Sequence, residues 1–140
     1  MIPINYIAVL VAAVAAFVVG FLMHGPVAGK LWMRLAKIHS TGNEKFADMI
    51  PQLIWNLAVQ VVCAYALATV YALASTSTLL WGPGVQTGIF CATVVWLGFI
   101  ASSSSIEVIW MGRSFKLWLF ELVSSCVALM AMGSIIALLA

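Results

Sequence analysis

Two carboxylates, Glu107 and Glu121, stand seven positions on either side of Ser114, inside stretches that are otherwise apolar. Residues 102–125 read SSSSIEVIWMGRSFKLWLFELVSS, and about Ser114 the residues Ser104, Glu107 and Trp110 are mirrored by Ser124, Glu121 and Trp118. If both halves are helical, each acid lies on the order of 10 Å of helical rise from the turn, and the two share one depth. A lone charge in an apolar setting costs a few kcal/mol, so the pair must be neutralised, paired or wetted. Three arrangements satisfy that demand. Arg113 and Lys116 can fold back from the turn over the acids. The two carboxyls can share a proton, driven by like-charge repulsion and desolvation. Or a cation or substrate amine can fill the site. Ser103 or Ser104, one turn from Glu107, and Ser124 or Ser125, one turn from Glu121, are expected to donate hydrogen bonds to the acids.

Three further polar groups reach the same end of the chain's apolar segments. Asn56 and Gln60 begin one segment and His24 ends another, so with Glu107 and Glu121 they are expected to converge in one half of the molecule, beside Ser104 and Ser124. No metal is expected there, because neither His24 nor His39 has a ligand partner at helical spacing. Cysteines 63, 91 and 126 are odd in number, show no close pairing, and read as small packing residues. Ser102 to Ser105 read as a close-packing, hydrogen-bonding face rather than as nucleophiles. Without a legible nucleophile–base pair, no enzyme and no cofactor is expected.

The elements that hold these residues follow from composition. Hydrophobic residues make up 65% of the chain and charged ones 7%, with a mean hydropathy of +1.17, against about a quarter charged in a soluble domain. That excludes a soluble fold. The net charge of +2 is too small for a nucleic-acid-binding stripe. A bilayer core about 30 Å thick needs roughly 20 apolar residues of helix, and four segments satisfy it: 4–23, 51–74, 87–111 and 115–140. The predicted fold is all-α, a four-helix transmembrane bundle in a single domain. The apolar start lacks a basic leader region, so the first segment is expected to remain as a span.

All six cations fall on one side of this threading: Lys30, Arg34, Lys37 and Lys45 between spans one and two, Arg113 and Lys116 between spans three and four. The positive-inside rule turns those loops to the cytoplasm and leaves both termini and the turn Trp81-Gly82-Pro83-Gly84 on the periplasmic side. Residues 27–39 return to helical periodicity, with Lys30, Arg34 and Lys37 forming a basic stripe. A short amphipathic helix is expected there, its cations on lipid headgroups. Thr41-Gly42-Asn43-Glu44 has the spacing of a capping box for a second short helix ending near Pro51.

Helices in lipid associate through close backbone approach, which small residues permit. Ala8, Ala12, Ala16 and Gly20 form one such stripe, Ala64, Ala68 and Ala72 another, with Asn56 and Gln60 extending the second inward as interhelical hydrogen-bonding groups. No matched pair of Gly/Pro-broken spans marks an inverted-repeat transporter. A chain of 140 residues leaves little room for an enclosed pathway, so a homo-oligomer, first of all a dimer, is expected.

The start Asn5-Tyr6-Ile7-Ala8-Val9, with Pro26 and Gly29-Lys30-Leu31-Trp32, resembles the small bacterial membrane proteins of domain of unknown function seventeen sixty-one. Met23, His24 and Gly25 stand where that family tends to have Trp, Tyr and Ser. The resemblance implies a four-span integral membrane protein of bacterial type and supplies no activity. Two functions are therefore carried forward. One is transport or permeation of a small solute or proton through an oligomer. The other is a structural or accessory subunit that binds lipid or a partner membrane protein.

Overall fold

Amides buried in hydrocarbon must be paired within their own segment, and this drives the apolar stretches into helix. The computed structural model describes residues 4–77 and 80–140, and among these there is no strand. The chain runs α1 (Tyr6–His24), α2 (Gly29–Ala36), α3 (Phe46–Ser75), α4 (Val85–Val95), a π-helical turn (Trp96–Ala101), α5 (Ser102–Met111) and α6 (Phe115–Leu139). Helix α4, the π turn and α5 form one continuous rod, Val85–Met111. Four helices are thus long and apolar enough to cross a membrane. The end that carries α2 and the basic loops is termed the basic end, and the opposite one the far end.

Helix α6 is the centre of the bundle, packed against α1, α3 and the α4–α5 rod, and α1 packs in turn against α3. The expected alanine stripes form the contacts of α1: Ala8, Ala12, Ala16, Ala64 and Ala68 are all buried, while Ala72, the last of the second stripe, is only half-buried and lines a cavity at the far end. Gly20 departs from its stripe, since a methyl group there would meet nothing within 4 Å. The stripe ends where a cavity begins. A second close crossing, of α4 on α6, was not foreseen. A methyl group at Gly88 would overlap the Gly133 carbonyl oxygen, and one at Gly133 would lie 2.5 Å from that of Gly88. The sequence does carry the signal, for Gly88 and Ala92 face Gly133 and Ala137 at matching four-residue spacing.

Asn5 ties the far end together. Its Oδ1 accepts from the amides of Ile7 and Ala8 at 3.0 and 3.3 Å, capping α1, while its Nδ2 donates to the Leu139 carbonyl at 2.7 Å. Between α1 and α3 the amphipathic helix forms over Gly29–Ala36, and Lys37 closes it in the left-handed region at φ 56°. Lys30, Arg34 and Lys37 are exposed.

The second short helix does not form. The Thr41 amide does donate to Glu44 Oε1 at 3.3 Å, and Ser40 Oγ donates to Oε2 at 3.1 Å, but this is a free-standing turn. Helix α3 begins beyond it at Phe46 and continues through Pro51. Pro51 is the sixth residue of α3, so the helix forgoes the bond that an amide there would make to the Ala47 carbonyl and still runs on without a break.

Candidate binding site at the basic end of the bundle

The hairpin between α5 and α6 brings the acids together. Gly112 closes α5 in the left-handed region at φ 66°, a conformation that glycine adopts without steric cost. The chain then turns so that the Arg113 amide donates to the Glu107 carbonyl at 3.2 Å. This aims the guanidinium back along the hairpin, where Nη1 donates to Glu107 Oε2 at 2.5 Å and Nη2 to Glu121 Oε2 at 2.6 Å. Of the arrangements open in the sequence, the cation folded between the two carboxylates is the one adopted. Arg113 does this alone, for Lys116 is exposed and makes no ion pair among the described residues. The guanidinium side chain is 28% exposed, Glu107 47% and Glu121 33%, so the trio lies at the edge of the packed region.

The π turn is what makes this meeting geometrically available. Each residue of an α-helix rotates the side-chain direction by about 100°, so a regular helix continuing the buried face of Gly88 and Ala92 would bring Ser102 and Ile106 inward. The π turn accommodates one extra residue, and Ile100, Ser104 and Glu107 take those places, while Ser102 and Ile106 are exposed. At the same level Trp96 Nε1 donates to both the Leu122 carbonyl and Ser125 Oγ, each at 3.1 Å, fixing the turn to α6.

The serines do not serve the acids as expected. Ser102 to Ser105 bond back to carbonyls three or four residues earlier in their own helix. That is the habit of a mid-helix hydroxyl with a carbonyl in reach. Ser104 also accepts from Trp118 Nε1 at 2.9 Å, which joins α6 to α5. Ser125 donates to the Leu122 carbonyl at 2.9 Å. Of the mirrored tryptophans, Trp118 packs inward while Trp110 is 81% exposed.

A cavity of about 350 Å³ opens beside this hairpin between α1, α2, α3 and α6. His24, Asn56, Gln60, Glu121 and Ser124 all line it. Glu107 and Ser104 do not, and Glu107 is linked to it through Arg113, which also bonds Glu121. His24 is held by its Nδ1–H, which donates to the Gly20 carbonyl at 2.9 Å, and by edge contacts to Trp32 and Phe120 at centroid distances of 5.3 and 5.7 Å. Gly29 allows that packing: a methyl group there would lie 2.7 Å from the His24 carbonyl oxygen, so only glycine lets α2 fold so tightly onto the end of α1.

The two amides differ from expectation. Gln60 is half-buried and Asn56 is exposed at the cavity mouth, and neither makes a side-chain hydrogen bond among the described residues. They line space instead of bonding a neighbouring helix. Trp32 on α2 and Phe17 and Phe21 on α1 complete the wall; in the sequence Trp32 stands out only within the family resemblance, and neither phenylalanine stands out at all. The signal was weak, because an aromatic residue near a span end reads first as an interfacial anchor.

A model of the family described as protein of unknown function (DUF1761) matches residues 7–137 of the 140-residue chain. The chain belongs to this family. The match covers all but the end residues of the four long helices and every cavity-lining residue named above. No curated protein and no solved structure matches the chain.

Proposed function

We propose that this DUF1761 protein binds a small solute or a proton in the basic-end cavity and carries it across the bacterial inner membrane, acting as an oligomer, first of all a dimer. The single observation that carries this reading is that one carboxylate, one imidazole and two amides without hydrogen-bond partners among the described residues share one cavity among membrane-spanning helices. Unpaired amides at that depth are costly unless water or a ligand satisfies them. In this reading the basic loops face the cytoplasm, both termini face the periplasm, and Lys30, Arg34 and Lys37 rest on lipid headgroups. The layer of Ala12, Ala16, Ala64, Leu67, Leu129 and Met132, buried to 3% exposure or less, separates the cavity from the far end. Passage therefore requires the helices to shift. A partner protomer fits best along span three, of whose most apolar window only 11% is buried in the single chain.

A second reading is favoured by one observation of its own. Arg113 already satisfies an oxygen of each acid, as it would in a scaffold subunit whose polar groups only fix helix packing. Reconstitution into liposomes separates the two. Carriage predicts flux of a polar solute or of protons that Glu121→Gln abolishes while the helical signal and melting profile stay intact. Scaffolding predicts no flux from any variant and a change in thermal stability alone.

A further inference from the structure

Resting on the carrier reading above and narrowing it, we infer that the cavity selects a small quaternary ammonium compound, an organic cation with apolar substituents. The charge balance comes first. Two carboxylates against one guanidinium leave a single negative charge on the Glu107–Arg113–Glu121 cluster. It is at Glu121 that this cluster meets the cavity, and only Oε2 of that carboxylate is engaged by Arg113. Lys116 does not neutralise the remainder, being exposed and outside the ion pairs of the described residues.

The wall around that charge then decides between kinds of cation. Phe17, Phe21 and Trp32 line the cavity with Met49 and Leu53, so most of the surface facing a ligand is aromatic or aliphatic. Aromatic rings attract a desolvated cation through their quadrupoles, and cages of such rings are a recurrent way of binding quaternary ammonium groups. A bare calcium or magnesium ion instead demands six or more oxygen ligands at short range. A volume of about 350 Å³ is far larger than such an ion, and it lies at the small end of the range for organic ligands. An anion is opposed by the net charge. A neutral solute gains nothing from it. An alkylated ammonium group uses both features at once, its charge against Glu121 and its methyl or methylene surface against the rings, while Gln60 and Asn56 remain to bond a hydroxyl on the same molecule.

The test uses the full chain in lipid nanodiscs and two probes of one shape, choline and its uncharged carbon isostere 3,3-dimethylbutan-1-ol. Isothermal titration at constant ionic strength is expected to give saturable choline binding and at least tenfold weaker binding of the isostere. Glu121→Gln and Trp32→Leu should each weaken choline at least tenfold, and Lys116→Gln should leave it unchanged. Equal binding of the two probes, or no choline binding at millimolar concentration, overturns the inference, and neither comparison needs a variant to fold. Glu121-dependent flux of urea or glycerol without choline binding would sink this inference and leave the carrier reading standing. Absence of flux for every solute, with choline still bound, would sink the carrier reading alone.

Discussion

At the residue scale the decisive group is Arg113. Removing one partner from an ion pair leaves the other charge uncompensated, which costs more than the intact pair contributes. The trio here is partly open to solvent, so the effect should be moderate. Arg113→Met is expected to lower unfolding stability by about 2 kcal/mol, measured by thermal or denaturant unfolding in detergent. Adding Glu107→Gln and Glu121→Gln to that variant should restore most of the loss, because no unpaired charge then remains. A triple variant as unstable as the single one would mean that the guanidinium acts through packing instead. Asn5 is a second residue with a role of its own, as helix cap and as tie between the chain's two ends. Asn5→Ala should cost about 1–2 kcal/mol, more than a cap alone in an isolated helix.

At the element scale two features control the geometry. The Gly88–Gly133 crossing sets the distance between α4 and α6, and a methyl group on either glycine meets backbone oxygen, which cannot rotate away. Gly133→Ala should therefore destabilise by about 1–3 kcal/mol, whereas Gly98→Ala, with nothing within 4 Å, should change stability little. The π turn sets the rotation of α5. Deleting Gly98 removes the extra residue, and a regular α-helix then presents Ser104 and Glu107 to α6 as before. Inserting one alanine after Gly98 turns α5 by a further 100° or so and carries Glu107 away. The deletion is expected to keep the coupling between Glu107 and Arg113 in a double-mutant cycle, and the insertion to abolish it. Loss of coupling in both would show that the π turn is not what aims the acid.

At the scale of the whole molecule a packed middle separates two open ends. Alanine and glycine contacts pack the middle and the crossing of α4 on α6 tightly, while the basic end holds a cavity among His24, Gln60 and Glu121 and the far end a larger one, of about 800 Å³, among Asn5, Tyr71 and Pro83. Wetting should follow the same division. With Cys63 and Cys126 replaced by alanine, a cysteine at Gln60 is expected to react with a water-soluble thiol reagent, while Cys91, 2% exposed, stays unmodified until the bundle unfolds. Labelling of Cys91 at the same rate would mean that water reaches through the packed layer and that the cavity is not closed at its far side.

The sequence by itself determined the all-α architecture, the four long apolar helices, the short basic helix and the alanine faces of α1 and α3. Those follow from local rules: hydrocarbon demands internally bonded backbone, and small residues at four-residue spacing share one face of any helix. The pairing of Glu107 with Glu121 was legible as a symmetry about the turn, and Arg113 as one of its possible partners. What only the tertiary structure decided was rotation and rivalry. A single extra residue in the π turn selects which face of α5 meets α6, and no pattern of hydrophobicity records it. The serines chose their own helix carbonyls over the acids because those acceptors lie within reach at fixed geometry. Whether Asn56 and Gln60 bond a neighbour or line a cavity depended on how far α1, α2 and α6 stand from α3, a distance set by side chains distant in the chain.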